Sequence, residues 1–277
     1  MTPRELLRQT AKRFAEAGVP NPETDSALLL ESLLHRPALQ LRLDTDTVLT
    51  AAELGRFEAL VLRRLTRRPL QYLTGEVGFF GHVFLVDDRV LIPRQETELL
   101  VERGIAAAKA WREPRVLDLC CGSGCIGISV ALALGAEVHA SDLSADALAV
   151  ARTNAERLGA AVVFHQGDLL DWVRGERFHV LLSNPPYIPT KDCTELQQEV
   201  RFEPITALDG GADGLDFYRR IAQTAPKVLE ADGVLLMELG DGEAAAVSDL
   251  LRAAGWRDVR VFEDYAGLPR MIQAVWG

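Results

Sequence analysis

Residues 115–142 read RVLDLCCGSGCIGISVALALGAEVHASD. An apolar run from Val116 breaks at Gly122, an apolar helical stretch follows Ser123, and a second apolar run ends on Asp142. Two runs of strand length joined through a glycine-opened helix spell a βαβ unit. The alternation continues outward. Residues 144–159 carry a helical pattern, 161–168 and 177–187 read as strands, 215–229 as a helix, 233–239 as a strand and 243–254 as a helix; 257–264 and 270–276 close the chain as two strands. This pattern predicts an α/β fold with a mostly parallel seven-stranded sheet, covered by helices on both faces. Ligands of such sheets sit beyond the carboxyl ends of the strands.

Ahead of this region the pattern is helical. Thr2 with Glu5 and Thr50 with Glu53 have capping-box spacing, Pro3 stands at a first helical position and Gly18 ends the first helix. Asn21-Pro22 opens a second helix, whose apolar face is predicted to take Ala27, Leu28, Leu30, Leu33 and Leu34. A further helix ends in Arg63, Arg64, Arg67 and Arg68 and is stopped by Pro69. Next come glycines, aromatic and β-branched residues and Asp87-Asp88, which suggest a β-hairpin. The predicted organisation is a helical domain at 1–73, a hairpin linker at 74–96 and the α/β domain at 97–277.

With 48% hydrophobic and 25% charged residues, the 277-residue chain is not a disordered one. No apolar run is long enough to span a bilayer, and the charged start lacks a signal-peptide core, so a cytoplasmic protein without a membrane partner is expected. The net charge is −10, made of +2 over residues 1–73 and −12 over the rest. That balance argues against binding long nucleic acid, and the arginine cluster suggests that the helical domain docks a substrate. Cys120, Cys121, Cys125 and Cys193 contain no Cys-x-x-Cys pair, so they read as small buried thiols and no metal is expected.

Four sites at strand ends carry chemistry. The first is Asp118-Leu119-Cys120-Cys121-Gly122-Ser123-Gly124, continued to Gly127. Its glycines allow a tight turn and close backbone approach to a ligand. Gly122, Gly124 and Gly127 have dinucleotide-fingerprint spacing, but the acid before the turn suits the cationic methionine part of S-adenosylmethionine; an ordinary strand–helix turn is a third reading. At the second, Asp142, a carboxylate can accept both hydroxyls of a ribose, or can cap the helix near Ser144. At the third, Asp168 and Leu169 border an adenine, or Asp168 caps a helix. The fourth is Ser183-Asn184-Pro185-Pro186-Tyr187. Its two prolines fix the backbone and remove two donors, leaving the Asn184 side-chain oxygen and a carbonyl free to accept from a planar –NH2 group, with Tyr187 as a wall.

Asp118–Gly124, Asp142 and Asn184–Tyr187 together resemble the amino-group N-methyltransferases of the class I Rossmann-like fold. RRPLQYLTGEVGFFGHVFLVDDRVLIPRQETELLVE, ALDGGADGLDFYRRI, LLMELG and DYAGLPR are further similar to the peptide chain release factor glutamine N5-methyltransferases (HemK/PrmC type), and the resemblance covers nearly the whole chain. It implies methyl transfer from S-adenosyl-L-methionine, leaving S-adenosyl-L-homocysteine, to the glutamine of the Gly-Gly-Gln loop of release factors. Asn184, Pro185, Pro186 and Tyr187 would then be catalytic. Asp118, Cys120, Cys121, Gly122, Ser123, Gly124, Asp142, Asp168, Leu169 and Asn184 would hold the cofactor. The chain departs from the family pattern at Gln95, usually proline; at Glu243, often glutamine; and at Leu169, often aromatic. Adenine N6-methylation of DNA or RNA is the nearest rival, since the same loop suits that amino group. A nicotinamide dehydrogenase would leave Asn184–Tyr187 unexplained, and a non-catalytic cofactor-binding module is a third reading that methyl transfer to any substrate would eliminate.

Overall fold

A computed structural model describes all 277 residues, which form two compact units. One is Met1–Glu76 with Gln197–Phe202; the other is Val77–Leu196 with Glu203–Gly277. The return of 197–202 to the first unit has no local signal in the sequence.

The first unit contains α1 (Pro3–Glu16), α2 (Pro22–Leu34), α3 (Ala38–Leu43), α4 (Ala51–Leu65) and α5 (Leu70–Thr74). Both capping boxes form: Thr2 and Thr50 accept from the backbone N–H of Glu5 and Glu53, whose carboxylates accept in return from the threonine N–H. α1 buries Leu7, Thr10 and Phe14, and α4 buries Phe57, Val61 and Arg64, both at helical spacing. α2 departs from expectation, because Leu29 is fully buried while Leu28 turns outward. Four consecutive apolar residues, Ala27 to Leu30, carry no period by which to choose a face.

Arg64 is a cation at a core position. Its Nε donates to Asp25 Oδ2 at 2.7 Å and its Nη2 to Glu199 Oε1 at 3.1 Å. Arg67 clasps the same Glu199 with two bonds of 2.7 Å. Burial would raise the Glu199 carboxyl, but the two arginines hold it below the usual range. Two of the four arginines read as a docking cluster are therefore paired inside their own unit.

From Val77 the second unit holds the rest of the hairpin β1 (Glu76–Phe79) and β2 (His82–Leu85), followed by α6 (Glu98–Ala108), β3 (Arg115–Leu119), α7 (Cys125–Leu134), β4 (Glu137–Asp142), α8 (Ala145–Leu158) and β5 (Val162–Gln166). β6 (Phe178–Ser183), α9 (Asp216–Thr224), β7 (Leu229–Glu238), α10 (Ala244–Ala253), β8 (Arg257–Glu263) and β9 (Pro269–Val275) complete it. The seven-stranded sheet has the order β5-β4-β3-β6-β7-β9-β8. Its strands pair in parallel from β5 to β7, and β9 runs antiparallel to both β7 and β8. The chain moves outward from β3 to β5 and then returns to place β6 against the other side of β3. That reversal opens a crevice at the carboxyl ends of β3 and β6. The hairpin is fixed to this unit: Asn154 of α8, fully buried, accepts from Leu85 N–H at 2.7 Å and donates to the carbonyls of Leu85 and Ser123, both at 3.0 Å.

Candidate active site

The turn after β3 is built by close packing. Cys120, Gly122 and Gly124 all have positive φ, and the non-glycine Cys120 at +59° marks strain at the mouth of the site. A Cβ at Gly124 would lie 2.9 Å from Ile128 Cδ1 and 3.1 Å from Ala151 Cβ, so glycine lets α7 approach α8. A Cβ at Gly127 would lie 3.0 Å from Asp118 Oδ2, the oxygen that accepts from Gly127 N–H at 2.8 Å. Asp118 thus caps the first turn of α7 from inside the core. Its other oxygen is buried without a partner. Burial, with Asp142 adding a like charge and Gly127 N–H opposing, pushes this carboxyl up to about 7.

Asp142 joins two strand ends. Its Oδ2 accepts from Gly122 N–H and its Oδ1 from Ser144 N–H, each at 2.9 Å. Ser144 itself caps α8, accepting from Ala147 N–H at 3.1 Å. Burial raises the Asp142 carboxyl against those backbone donors. Each oxygen keeps a lone pair for a further donor.

These ends face a cavity of about 340 Å³. Of the residues singled out in the sequence, Cys120, Gly122, Asp142, Asp168, Leu169, Asn184 and Pro186 line it. Asp118, Cys121, Ser123, Gly124 and Pro185 are buried and do not line it, and neither does the half-buried Tyr187. Asp168 is not a helix cap: no helix follows it, and its carboxylate pairs with Arg220 at 2.7 Å. Leu169, at φ +52°, lines the cavity at the position that is often aromatic in the family. Cys121 and Cys125 are buried, but Cys120 and Cys193 are partly exposed, against the reading of all four as buried thiols; burial raises Cys120 and Cys121 far above their ordinary value and Cys125 to about 12. No His, Cys, Asp and Glu grouping could hold a metal ion.

The loop after β6 is held from three sides. Ser183 Oγ donates to the Leu119 carbonyl at 2.9 Å, tying the ends of β6 and β3 together. Gly210 and Gly240 pack on Tyr187: a Cβ would lie 2.7 Å from Tyr187 Cα at the first and 3.0 Å from Tyr187 Cδ2 at the second. Glu243 accepts from Gly240 N–H at 3.0 Å, a bond that a glutamine oxygen could also make, which explains why the departure there leaves the loop intact. Sequence reasoning did not assign three further side chains. Thr97 Oγ1 lies 3.4 Å from Asn184 Nδ2 and donates to Glu238 Oε2 at 2.6 Å, while the Tyr187 hydroxyl donates to Glu238 Oε1 at 3.4 Å. Glu203 accepts from Ile92 N–H at 3.2 Å and from Arg94 at 2.6 Å, fixing the segment ahead of α6. PRQET and LLMELG are legible as motifs in the sequence, but nothing local shows that Thr97 and Glu238 meet.

Comparison with known proteins gives concordant matches. The chain fits the family described as the PrmC N-terminal domain over residues 5–75 and the methyltransferase small domain over residues 95–202. The release factor glutamine methyltransferase of Geobacter sulfurreducens is 42% identical over 273 residues, 98% of this chain and 95% of that protein. Its counterpart from Chlorobaculum tepidum is 44% identical over 285 residues, covering 98% and 96%. A solved methyltransferase from Pyrococcus furiosus shares the fold with a TM-score of 0.52 at 16% identity, covering 70% of this chain and 88% of that one. No helix is long and apolar enough to cross a membrane.

Proposed function

The chain belongs to the release factor glutamine methyltransferase family, and from that premise we propose that it methylates the side-chain amide nitrogen, N5, of the glutamine in the Gly-Gly-Gln loop of a release factor. The observation that carries the reading is the position of Asn184. It stands at the carboxyl end of β6, beside the glycine turn of β3, and lines the same cavity as Asp142.

The cavity suits S-adenosylmethionine. Asp142 offers two carboxylate oxygens, Ser141 Oγ lies buried there without a partner, and no atom stands within 4 Å of the Cβ that Gly122 lacks. Asp142 would take the ribose hydroxyls, Asp168 and Leu169 the adenine end, and the turn 120–124 the methionine part, with the unpartnered Asp118 oxygen behind it. When bound, this group supplies an electrophilic sulfonium methyl and leaves as S-adenosylhomocysteine. Asp142→Ala is expected to weaken its binding by about 1–3 kcal/mol through lost hydrogen bonds to a charged acceptor. Calorimetry showing unchanged affinity would remove the ribose role.

The chain's part in the chemistry is to prepare a poor nucleophile. A carboxamide nitrogen has its lone pair delocalised into its carbonyl. The Asn184 Oδ1 and the Pro185 carbonyl oxygen accept the two amide N–H bonds, turn the nitrogen toward the methyl and favour its pyramidal form in the transition state. Tyr187 packs against the amide plane. The proton leaves after transfer. In this reading the helical unit docks the body of the release factor, so KM should be lower for the whole factor than for a peptide bearing only the loop; equal values would remove that role.

Transfer of labelled methyl groups to purified release factor, DNA and RNA tests the reading. Label in the release factor is expected. Label confined to adenine would replace the reading with nucleic-acid N6-methylation, since the same loop could grip that amino group.

A further inference from the structure

Asn184 has a carbonyl oxygen and an –NH2 group that exchange places when the amide flips. Only one orientation turns an acceptor toward an incoming N–H; the other presents a donor and repels it. Something must therefore fix the flip. The geometry points to Thr97 and Glu238 as positioning residues that hold the Asn184 oxygen toward the cleft, an inference that rests on the proposed amide methylation.

The relay is directional. An ionised Glu238 only accepts, so the single Thr97 hydroxyl proton goes to Glu238 Oε2, 2.6 Å away. Thr97 Oγ1 then has only lone pairs for its other neighbour, Asn184 Nδ2 at 3.4 Å. The –NH2 group turns to Thr97 and Oδ1 is left for the substrate. A protonated Glu238 reverses the relay: it can donate to Thr97, whose own proton is released toward Asn184, and the amide no longer has a preferred flip. Thr97 and Glu238 are each 2% exposed, so bulk water does not substitute for either.

The groups around Glu238 leave it as the proton-dependent member of the relay. Thr97 and Glu96 face it from the segment ahead of α6, Tyr187 from the loop after β6, Arg270 from β9 and Cys125 from the start of α7. Burial holds the Tyr187 phenol protonated and raises the Cys125 thiol to about 12. Burial also pushes Glu238 up to about 7, with Thr97 and Arg270 opposing and Glu96 adding a like charge. The ionised fraction, and with it the correctly oriented Asn184, rises as pH rises through neutrality.

The test uses full-length enzyme, release factor and saturating S-adenosylmethionine, with kcat, KM and cofactor affinity measured separately. Thr97→Val keeps the side-chain volume and removes the hydroxyl; it should lower kcat by about tenfold or more, in line with loss of one oriented hydrogen bond, with cofactor affinity unchanged. Thr97→Ser should restore the rate. Wild-type kcat should show an acid limb near neutrality that Glu238→Gln abolishes. Asp118 is the other carboxyl pushed to about 7, and a limb due to it would survive Glu238→Gln. Wild-type kcat in Thr97→Val, or an acid limb that persists in Glu238→Gln, overturns the positioning role while glutamine methylation stands. If the unaltered enzyme leaves glutamine unmodified, the proposed function falls and the relay with it.

Discussion

Asn184→Ala is expected to lower kcat for glutamine methylation by about a thousandfold, the scale on which loss of one preorganised partner in a transition state is felt. The Pro185 carbonyl would remain, so one amide N–H could still be held, but the nitrogen would no longer be fixed against rotation. Small misplacements of a reacting atom lower rates steeply. Asn184 also lines the cavity proposed for the cofactor, so a change in cofactor affinity of about 1 kcal/mol is expected beside the much larger loss in rate. The fold should be unaffected, because the loop is held by Ser183 on Leu119 and by Gly210 and Gly240 against Tyr187. Single-turnover kinetics checks this directly. A rate within threefold of the unaltered enzyme, at unchanged cofactor affinity, would mean that Asn184 does not touch the reacting amide.

Arg64→Ala is expected to destabilise the helical unit by about 3–5 kcal/mol, the usual loss when one partner of a buried ion pair is removed. Asp25, 8% exposed at its side chain, would lose its guanidinium partner. Glu199 would keep the two bonds from Arg67, so the damage should centre on Asp25. Arg63 is exposed on the same helix, and its replacement by alanine should change stability by no more than about 0.5 kcal/mol. The comparison separates loss of a buried partner from loss of surface charge. Denaturant titration with a helix-sensitive probe reports the difference, and equal effects at the two positions would contradict the buried network.

The contrast between these arginines shows where the sequence stops being legible. Periodicity and capping residues predict the elements well, because helix and strand are written locally in spacing and in the residues that satisfy end groups. The strand-end motifs are legible for the same reason: Asp118, Asp142 and Asn184 each follow an apolar run, and an α/β sheet brings those ends together. Partners distant in the chain are not written that way. Glu238 is 141 positions from Thr97, and Glu199 is 135 from Arg64. Four arginines at the end of a helix look alike until the face that Phe57 and Val61 bury carries Arg64 inward with them. Asp168 has the residue type of a helix cap, yet Arg220 claims its carboxylate. At Asp118 the residue type points to a ligand it could attract, whereas its Oδ2 serves Gly127 N–H and only Oδ1 stays without a partner. Gly127 completes a familiar spacing, but its physical reason is the approach of that oxygen.

The most direct measurement is mass spectrometry of a purified release factor incubated with the enzyme and S-adenosylmethionine, with the modified residue located by fragmentation. One methyl group is expected on the glutamine of the Gly-Gly-Gln loop. A factor carrying asparagine there should remain unmodified, because the same amide set back by one methylene cannot reach in-line geometry. A methyl group elsewhere on the factor, or an unmodified glutamine beside methylated adenine in added nucleic acid, would contradict the account.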